Sequence, residues 1–325
     1  MNMINIKEIL KRIISGKNIK IACLAAGIIL IIAAIIYNYS KRPVNIWFVE
    51  QGLEEKWAKV LQEAQAPEAF KETRTWDGVT IPAEGGILIA TKPWKNDSKV
   101  SVFHRLAWDL EYQGATVLAL DPWMIFRKHT DPSLTVDRIL SEKGGNGVLL
   151  LPGRDKSVVW AWTGRFIQDK PGNFPSGNAI WREWEEKLFI GSRFPNGSLS
   201  YTWADAMFRL MGKETAWIYA PLSYFRRYNN PQKAILEASA FPEFTNSGEY
   251  SMQAEILWAL PTGSEKKQKK LVSTINWLKN PNTQTIIANT FDWIPADPYG
   301  KPYDPMSFTS HRLWLTADWV YTIEE

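Results

Sequence analysis

Polar and aromatic side chains arrive together behind apolar runs in the first part of this 325-residue chain. Glu50 and Gln51 follow Val44–Val49, Trp76 and Asp77 close the run Phe70–Trp76, Lys92 and Trp94 follow Gly86–Thr91, and Asp121 and Trp123 follow Ala115–Leu120. Such sets suit recognition of a polyhydroxylated ring. Aromatic faces stack on its C–H surfaces, while carboxylates, amides and cations bond its hydroxyl edges in a cleft that is mostly preformed. Carboxylates could also hydrolyse a glycosidic bond, which needs two of them flanking it. Asp77, Glu84, Asp121, Glu183, Glu185 and Glu186 are available, but no spacing singles out a pair.

Other chemistries have less to stand on. The chain has no Gly-x-Ser-x-Gly elbow, and its histidines are His104, His129 and His311. No His-x-x-x-His or Cys-x-x-Cys spacing supports a metal. Gly212-Lys213-Glu214-Thr215 has glutamate where a phosphate loop needs Ser or Thr, and Gly145-x-Gly147 lacks a third glycine. No cofactor is expected. Cys23 is the single cysteine, so no disulfide can staple the fold.

The elements that must position these side chains alternate. Val44–Val49 reads as a strand, and Leu53, Trp57, Val60, Leu61 and Ala64 form a helical stripe behind it. Phe70–Trp76 and Gly86–Thr91 read as strands, Val102–Tyr112 as a helix and Ala115–Leu120 as a strand. This alternation predicts an α/β fold with a largely parallel sheet, and ligands of open α/β sheets bind beyond the carboxyl ends of the strands. Near the end, Leu271, Ile275 and Leu278 recur at helical spacing; Asn280 then caps a helix with Pro281 first, and Pro295 is expected to stop it.

Ile21–Tyr37 carries no charge and is long enough to cross a bilayer. Lys7, Lys11, Arg12, Lys17 and Lys20 precede it against Glu8 alone, so residues 1–20 are expected in the cytoplasm and the bulk outside. Asn38–Lys41 makes a poor cleavage site, and Cys23 precedes the apolar run that a lipoprotein signal would place before it. The expectation is therefore an uncleaved single-pass anchor. Residues 1–42 hold seven basic groups and one acidic group, leaving the remainder at −2 against +4 for the whole. The basic pI belongs to the anchor, and nothing calls for a nucleic-acid partner. Seventeen tryptophans either line a cleft or fill the core.

Three segments carry a family resemblance. Leu210–Pro221, Trp258–Ser264 and the run from Lys269 through Trp277-Leu278, Asn280-Pro281 and Gln284 to Trp293-Ile294-Pro295-Ala296 resemble, in order, the closing segments of extracellular solute-binding proteins of ABC transporters, the maltose-binding-like type II group. The resemblance implies a two-lobed type II periplasmic-binding-protein fold behind the transmembrane helix. Lobe I would take residues 44–155 and, on return, 256–298; lobe II would take 156–255, and 299–325 would be a C-terminal helical segment. It implies a small-molecule ligand and ABC permease subunits as partners. On this reading Trp160, Trp162, Tyr219 and Tyr224 of lobe II, and Arg154 near the crossing, join the candidate ligand-binding set. The chain departs from maltose-type members where Leu222 replaces the aromatic after the Pro, and where Glu84-Gly85-Gly86 replaces Pro-Asp before the third strand. Two alternatives share the residues: a membrane-anchored sensor or partner-binding protein of the same fold, and a cell-surface glycan hydrolase.

Overall fold

The computed structural model describes residues 45–68, 70–91, 100–104, 111–112, 114–133, 135, 149–150, 152, 154, 200–212, 217–226, 235–240, 251–302, 304–317 and 319–323. The chain divides into Met1–Asn45 and Ile46–Glu325, and the second unit holds the fold described below. The predicted membrane segment 21–37 lies outside the described residues. Among those described, no helix is long and apolar enough to cross a membrane.

The strands are β1 (Asn45–Glu50), β2 (Phe70–Trp76), β3 (Gly86–Ala90), β4 (Val100–His104), β5 (Glu111–Tyr112), β6 (Ala115–Lys128), β7 (Leu149–Leu150), β8 (Trp217–Pro221), β9 (Leu236–Ser239), β10 (Ser251–Thr262), β11 (Ile294–Pro295) and β12 (Trp319–Ile323). The helices are α1 (Glu54–Glu63), α2 (Trp203–Met211), α3 (Leu222–Arg226), α4 (Glu265–Gln268), α5 (Val272–Leu278), α6 (Pro281–Phe291) and α7 (Pro305–Thr316).

Two long strands organise everything else. β1 runs parallel to β3, β3 antiparallel to β10, and β10 antiparallel to the first half of β6, whose other edge takes β5 and β11. The second half of β6 changes partners: β8 pairs along one edge and β9 along the other, and β7 adds parallel to β8. The opening residues of β10 pair instead with β12, which pairs with β4. β6 and β10 thus lie side by side in the first sheet and part where it ends, β6 continuing between β8 and β9 and β10 beginning beside β12.

The change of partner has a local cause. Pro122 has no N–H to donate, and it sits where β6 leaves its first neighbours: it is opposite Ala254, while Trp123 already faces Pro221 of β8. The expectation that the strand stops at Leu120 is corrected here, because the proline marks a switch of ladder within one strand. The sheet is mixed rather than largely parallel, since β10 returns antiparallel between β3 and β6.

Both faces of the first sheet are covered, which is why its strands read as continuous apolar runs. Trp47, Val49, Ile87, Ile89 and Leu118 pack with Trp57, Leu278, Ile287 and Phe291 beneath α1, α5 and α6. Ile46, Phe48, Leu88, Ala90 and Leu120 face the other way, into a core that continues through Met124, Phe126 and Ile218 of the second sheet. Trp47, Trp57, Trp76, Trp123, Trp217, Trp258, Trp293 and Trp314 are all buried. Much of the tryptophan excess is therefore core, where each indole removes 150–250 Å² from water.

Two further sequence expectations change. Val102–Tyr112, read as a helix, begins in β4, which pairs with the far strand β12, and ends in β5, while residues 105–110 lie outside the described residues. Tertiary pairing outweighed a helical pattern. Helix α6 begins as read, with Asn280 accepting from the Asn282 amide at 2.9 Å and Pro281 at its first position. Its stop is Asp292, at φ 64° in the left-handed region, and Pro295 belongs to β11. The C-terminal segment is helical over α7 and then ends in β12.

Candidate functional site at the strand crossing

At the crossing, β6 brings Asp121 and Trp123, β10 brings Gln253 and Glu255, and β8 with α3 brings Tyr219, Ser223, Tyr224 and Arg226. Asp121 and Glu255 are directly opposite in register. Asp121 is only 2% exposed, and its carboxylate accepts the Ser223 amide at 2.9 Å. That bond ties the first sheet to the start of α3. Burial, reinforced by the Glu255 charge, pushes Asp121 up to about 7 against the opposing pull of the Ser223 bond and Arg226.

Arg226 is a second buried charge on the same side. Its Nε lies 3.1 Å from the Asp304 carboxylate, its Nη2 donates to Ser307 Oγ at 2.5 Å, and its Nη1 is 3.9 Å from Asp292. Asp304 also caps α7, accepting from the Met306 and Ser307 amides at 3.0 Å each. Asp292 terminates α6, so one guanidinium draws together α3, α6 and α7.

Aromatic rings gather beside these charges. Trp123 is centred 5.3 Å from Tyr219 and 6.4 Å from Trp203, and Trp203 lies 4.1 Å from Tyr224. Tyr219 is buried and donates its hydroxyl to Gln253 at 2.8 Å. Trp203 and Tyr224 are half-buried, their rings packed on each other. Trp203 is presented by the first turn of α2, which is fixed by a reciprocal cap: Asp205 N–H donates to Thr202, and Thr202 N–H donates to Asp205 at 2.8 Å. Arg154, exposed, donates its backbone amide to Tyr201 at 3.1 Å, and Arg209 covers the Tyr201 ring at 4.4 Å.

The structure thus brings Asp121, Trp123, Tyr219 and Tyr224 into one cluster, with the Arg154 amide hydrogen-bonded to the Tyr201 carbonyl in the loop before α2. The other candidates occupy separate places. Glu50 is buried at the end of β1, accepting the amide and hydroxyl of Thr91 at 2.6 and 2.9 Å. The Gln51 side chain is exposed while its amide donates to the Trp76 carbonyl. Trp76 is in the core against Trp258, its indole N–H donating to Thr80. Asp77, exposed, accepts the Val79 amide in a turn. Lys92, Trp94, Trp160 and Trp162 lie outside the described residues.

Sequence reading missed Trp203, Glu255 and Arg226. In the sequence Trp203 stands at helical spacing with Ala206, Met207 and Leu210, which marks a helix but not a site, and its partner Tyr224 is twenty-one residues away. Glu255 and Arg226 carried no signal, because their meaning comes from the cross-strand register and from the distant helix α7. Among the described residues, no cluster of His, Cys, Asp and Glu could hold a metal ion.

The sequence matches no protein-family model and no curated protein. Solved structures do match. The bacterial solute receptor AcbH, described as preferring β-D-galactopyranose, aligns over 85% of this chain and 87% of its own at 11% identity with a TM-score of 0.57. Maltose-bound MalE3 of T. maritima aligns over 84% and 88% at 13% identity with a TM-score of 0.52. A Bordetella ferric binding protein aligns over 82% and 90% at 11% identity with a TM-score of 0.55. The chain has the mixed α/β fold of the bacterial solute-binding proteins.

Proposed function

We propose that this protein is an extracytoplasmic receptor that captures a small carbohydrate between two lobes and delivers it to an ABC permease, held at the membrane by residues 21–37. The lobes are the first sheet with α1, α5 and α6, and the second sheet with α2 and α3. On this reading the first crossing lies at Asp121–Trp123, earlier in the chain than the 155/156 boundary expected from sequence. Closure is a population shift, driven by contacts that a ligand makes to both lobes at once. It requires no covalent chemistry.

The observation that carries this reading is β6, one continuous strand that runs from the first sheet into the second, with β10 leaving the first sheet beside it toward β12 and with aromatic rings and a carboxylate at the passage. Strands that leave a sheet at one point offer a hinge with few moving torsions. A sugar is favoured over a ferric ion because the half-buried pair Trp203 and Tyr224 supplies aromatic surface, which suits C–H groups rather than a hard cation. The likeness to receptors described as binding galactopyranose and maltose agrees with that choice.

The test is a titration of the full-length protein in detergent with monosaccharides, maltodextrins, amino acids, polyamines and ferric ion, followed by tryptophan fluorescence and thermal shift. Saturable binding of one sugar class, weakened by Trp203→Ala, supports the reading. Binding of ferric ion or of amino acids alone refutes the ligand class, and a folded protein silent to the whole panel refutes capture.

A further inference from the structure

We propose that Asp121 is a protonation-controlled latch on the strand crossing: uncharged, it holds β6, β10 and α3 in the arrangement seen, and ionised, it loosens that arrangement by repulsion from Glu255. The inference rests on reading β6 and β10 as the hinge, but not on what the ligand is.

The geometry makes the site unusual. Like charges directly opposite on neighbouring antiparallel strands destabilise the pair, and Asp121 and Glu255 occupy opposed positions at the point where both strands change partners. Glu255 is exposed to water, whereas Asp121 is buried. The charge is therefore more costly on Asp121, which is the side that gives way. Among the described residues, three groups act on it. Glu255 faces it from β10; from α3 come the Ser223 amide, bonded at 2.9 Å, and the Arg226 charge. Arg226 cannot neutralise it fully, because its guanidinium is already engaged by Asp304 of α7 at 3.1 Å and approached by Asp292 at 3.9 Å. Burial and Glu255 outweigh the Ser223 and Arg226 contributions and hold the proton on Asp121 to about neutral pH. A carboxyl at a hinge that titrates near neutrality would make receptor closure respond to the pH outside the cell, lower pH favouring the arrangement in which Asp121 bonds Ser223.

Hydrogen exchange of the full-length protein in detergent micelles, followed in the peptide that spans residues 217–226 and corrected for intrinsic exchange, reads the latch without any ligand. In the wild type, opening at this peptide should rise about tenfold between pH 6 and pH 8, the factor for one group titrating near 7 in the latched state and near 4 when open. Asp121→Asn should exchange at a rate independent of pH over that range, and Glu255→Gln should move the wild-type transition to lower pH. A pH-independent wild type, or a transition that Glu255→Gln leaves in place, overturns the proposal. Should Asp121→Asn fail to fold, the Glu255→Gln comparison decides alone. Sugar-induced compaction measured by small-angle scattering tests the hinge separately, so the loss of one reading is distinguishable from the loss of the other.

Discussion

Truncating Arg226 to alanine should unfold this protein far more easily than its place on a five-residue helix suggests. The side chain is only 3% exposed, and it is bonded to Asp304 at 3.1 Å and to Ser307 at 2.5 Å. Removing it leaves the Asp304 carboxylate, 17% exposed, without its cation. Breaking one partner of a buried pair costs about 3–5 kcal/mol. The Asp292 contact adds little, because that carboxylate is half exposed and 3.9 Å away. Asp304 keeps its bonds to the Met306 and Ser307 amides, so the lower end, about 3 kcal/mol, is expected. At roughly 2–4 °C per kcal/mol for a chain of this size, the midpoint should fall by about 6–12 °C. Urea unfolding followed by tryptophan emission measures it. The double variant Arg226→Ala/Asp304→Ala should lose less than the sum of the single changes, with a coupling of about 2 kcal/mol. A loss under about 1 kcal/mol for Arg226→Ala, or strict additivity, would show that the guanidinium does not clamp α3, α6 and α7.

Three other outcomes follow from the structure. Gly86→Ala places a Cβ 2.3 Å from the Ile46 carbonyl oxygen and 2.8 Å from the Phe48 ring, so it should push β1 from β3 and cost about 1–3 kcal/mol by urea titration. Asp121 titrates above its ordinary range in the fold, so folding retains its proton where the unfolded chain has lost it, and stability should fall as pH rises from about 4 to about 7. Asp121→Asn should remove that fall, on the order of a few kcal/mol by pH 8, while His311, held below its ordinary value by burial, works in the opposite sense and loses its contribution as pH drops below about 6.5; a thermal-shift series over pH 4–8 separates them. Trp203→Ala should weaken binding of any sugar found in the titration at least about fivefold, since stacked aromatic faces contribute about 1 kcal/mol beyond buried area, and should also lower urea stability because the ring packs on Tyr224.

How much was legible depended on the distance over which each decision was made. β2 was read at its full extent from composition, and the start of α6 from Asn280 and Pro281, because caps and alternation are settled within a few residues. Ala115–Leu120 was recognised, but its continuation through Pro122 was hidden: a proline inside a strand is tolerated at an edge, a bulge or a change of ladder, and the neighbours Ala254 and Pro221 that make the change lie about a hundred residues or more downstream. β4 was misread because β12, more than two hundred residues later, supplies the partner that selects its period. The site followed the same rule. Asp121, Trp123, Tyr219 and Tyr224 could be nominated from strand ends and from a family resemblance, whereas Glu255 gains its role through register and Arg226 through a helix near the C-terminus.

The position of β10 governs when the molecule can assemble. It lies between β3 and β6, and β11, at residues 294–295, completes the far edge. The early strands of the first sheet therefore emerge from the ribosome with a central member missing and stay that way for roughly 130 residues of further synthesis. Contacts spanning such distances slow the search for the native state. During that interval the apolar runs of β1, β3 and β6 have exposed edges prone to pairing with other chains. A chain wired in this way cannot close its first sheet until β10, which ends at Thr262, has been made.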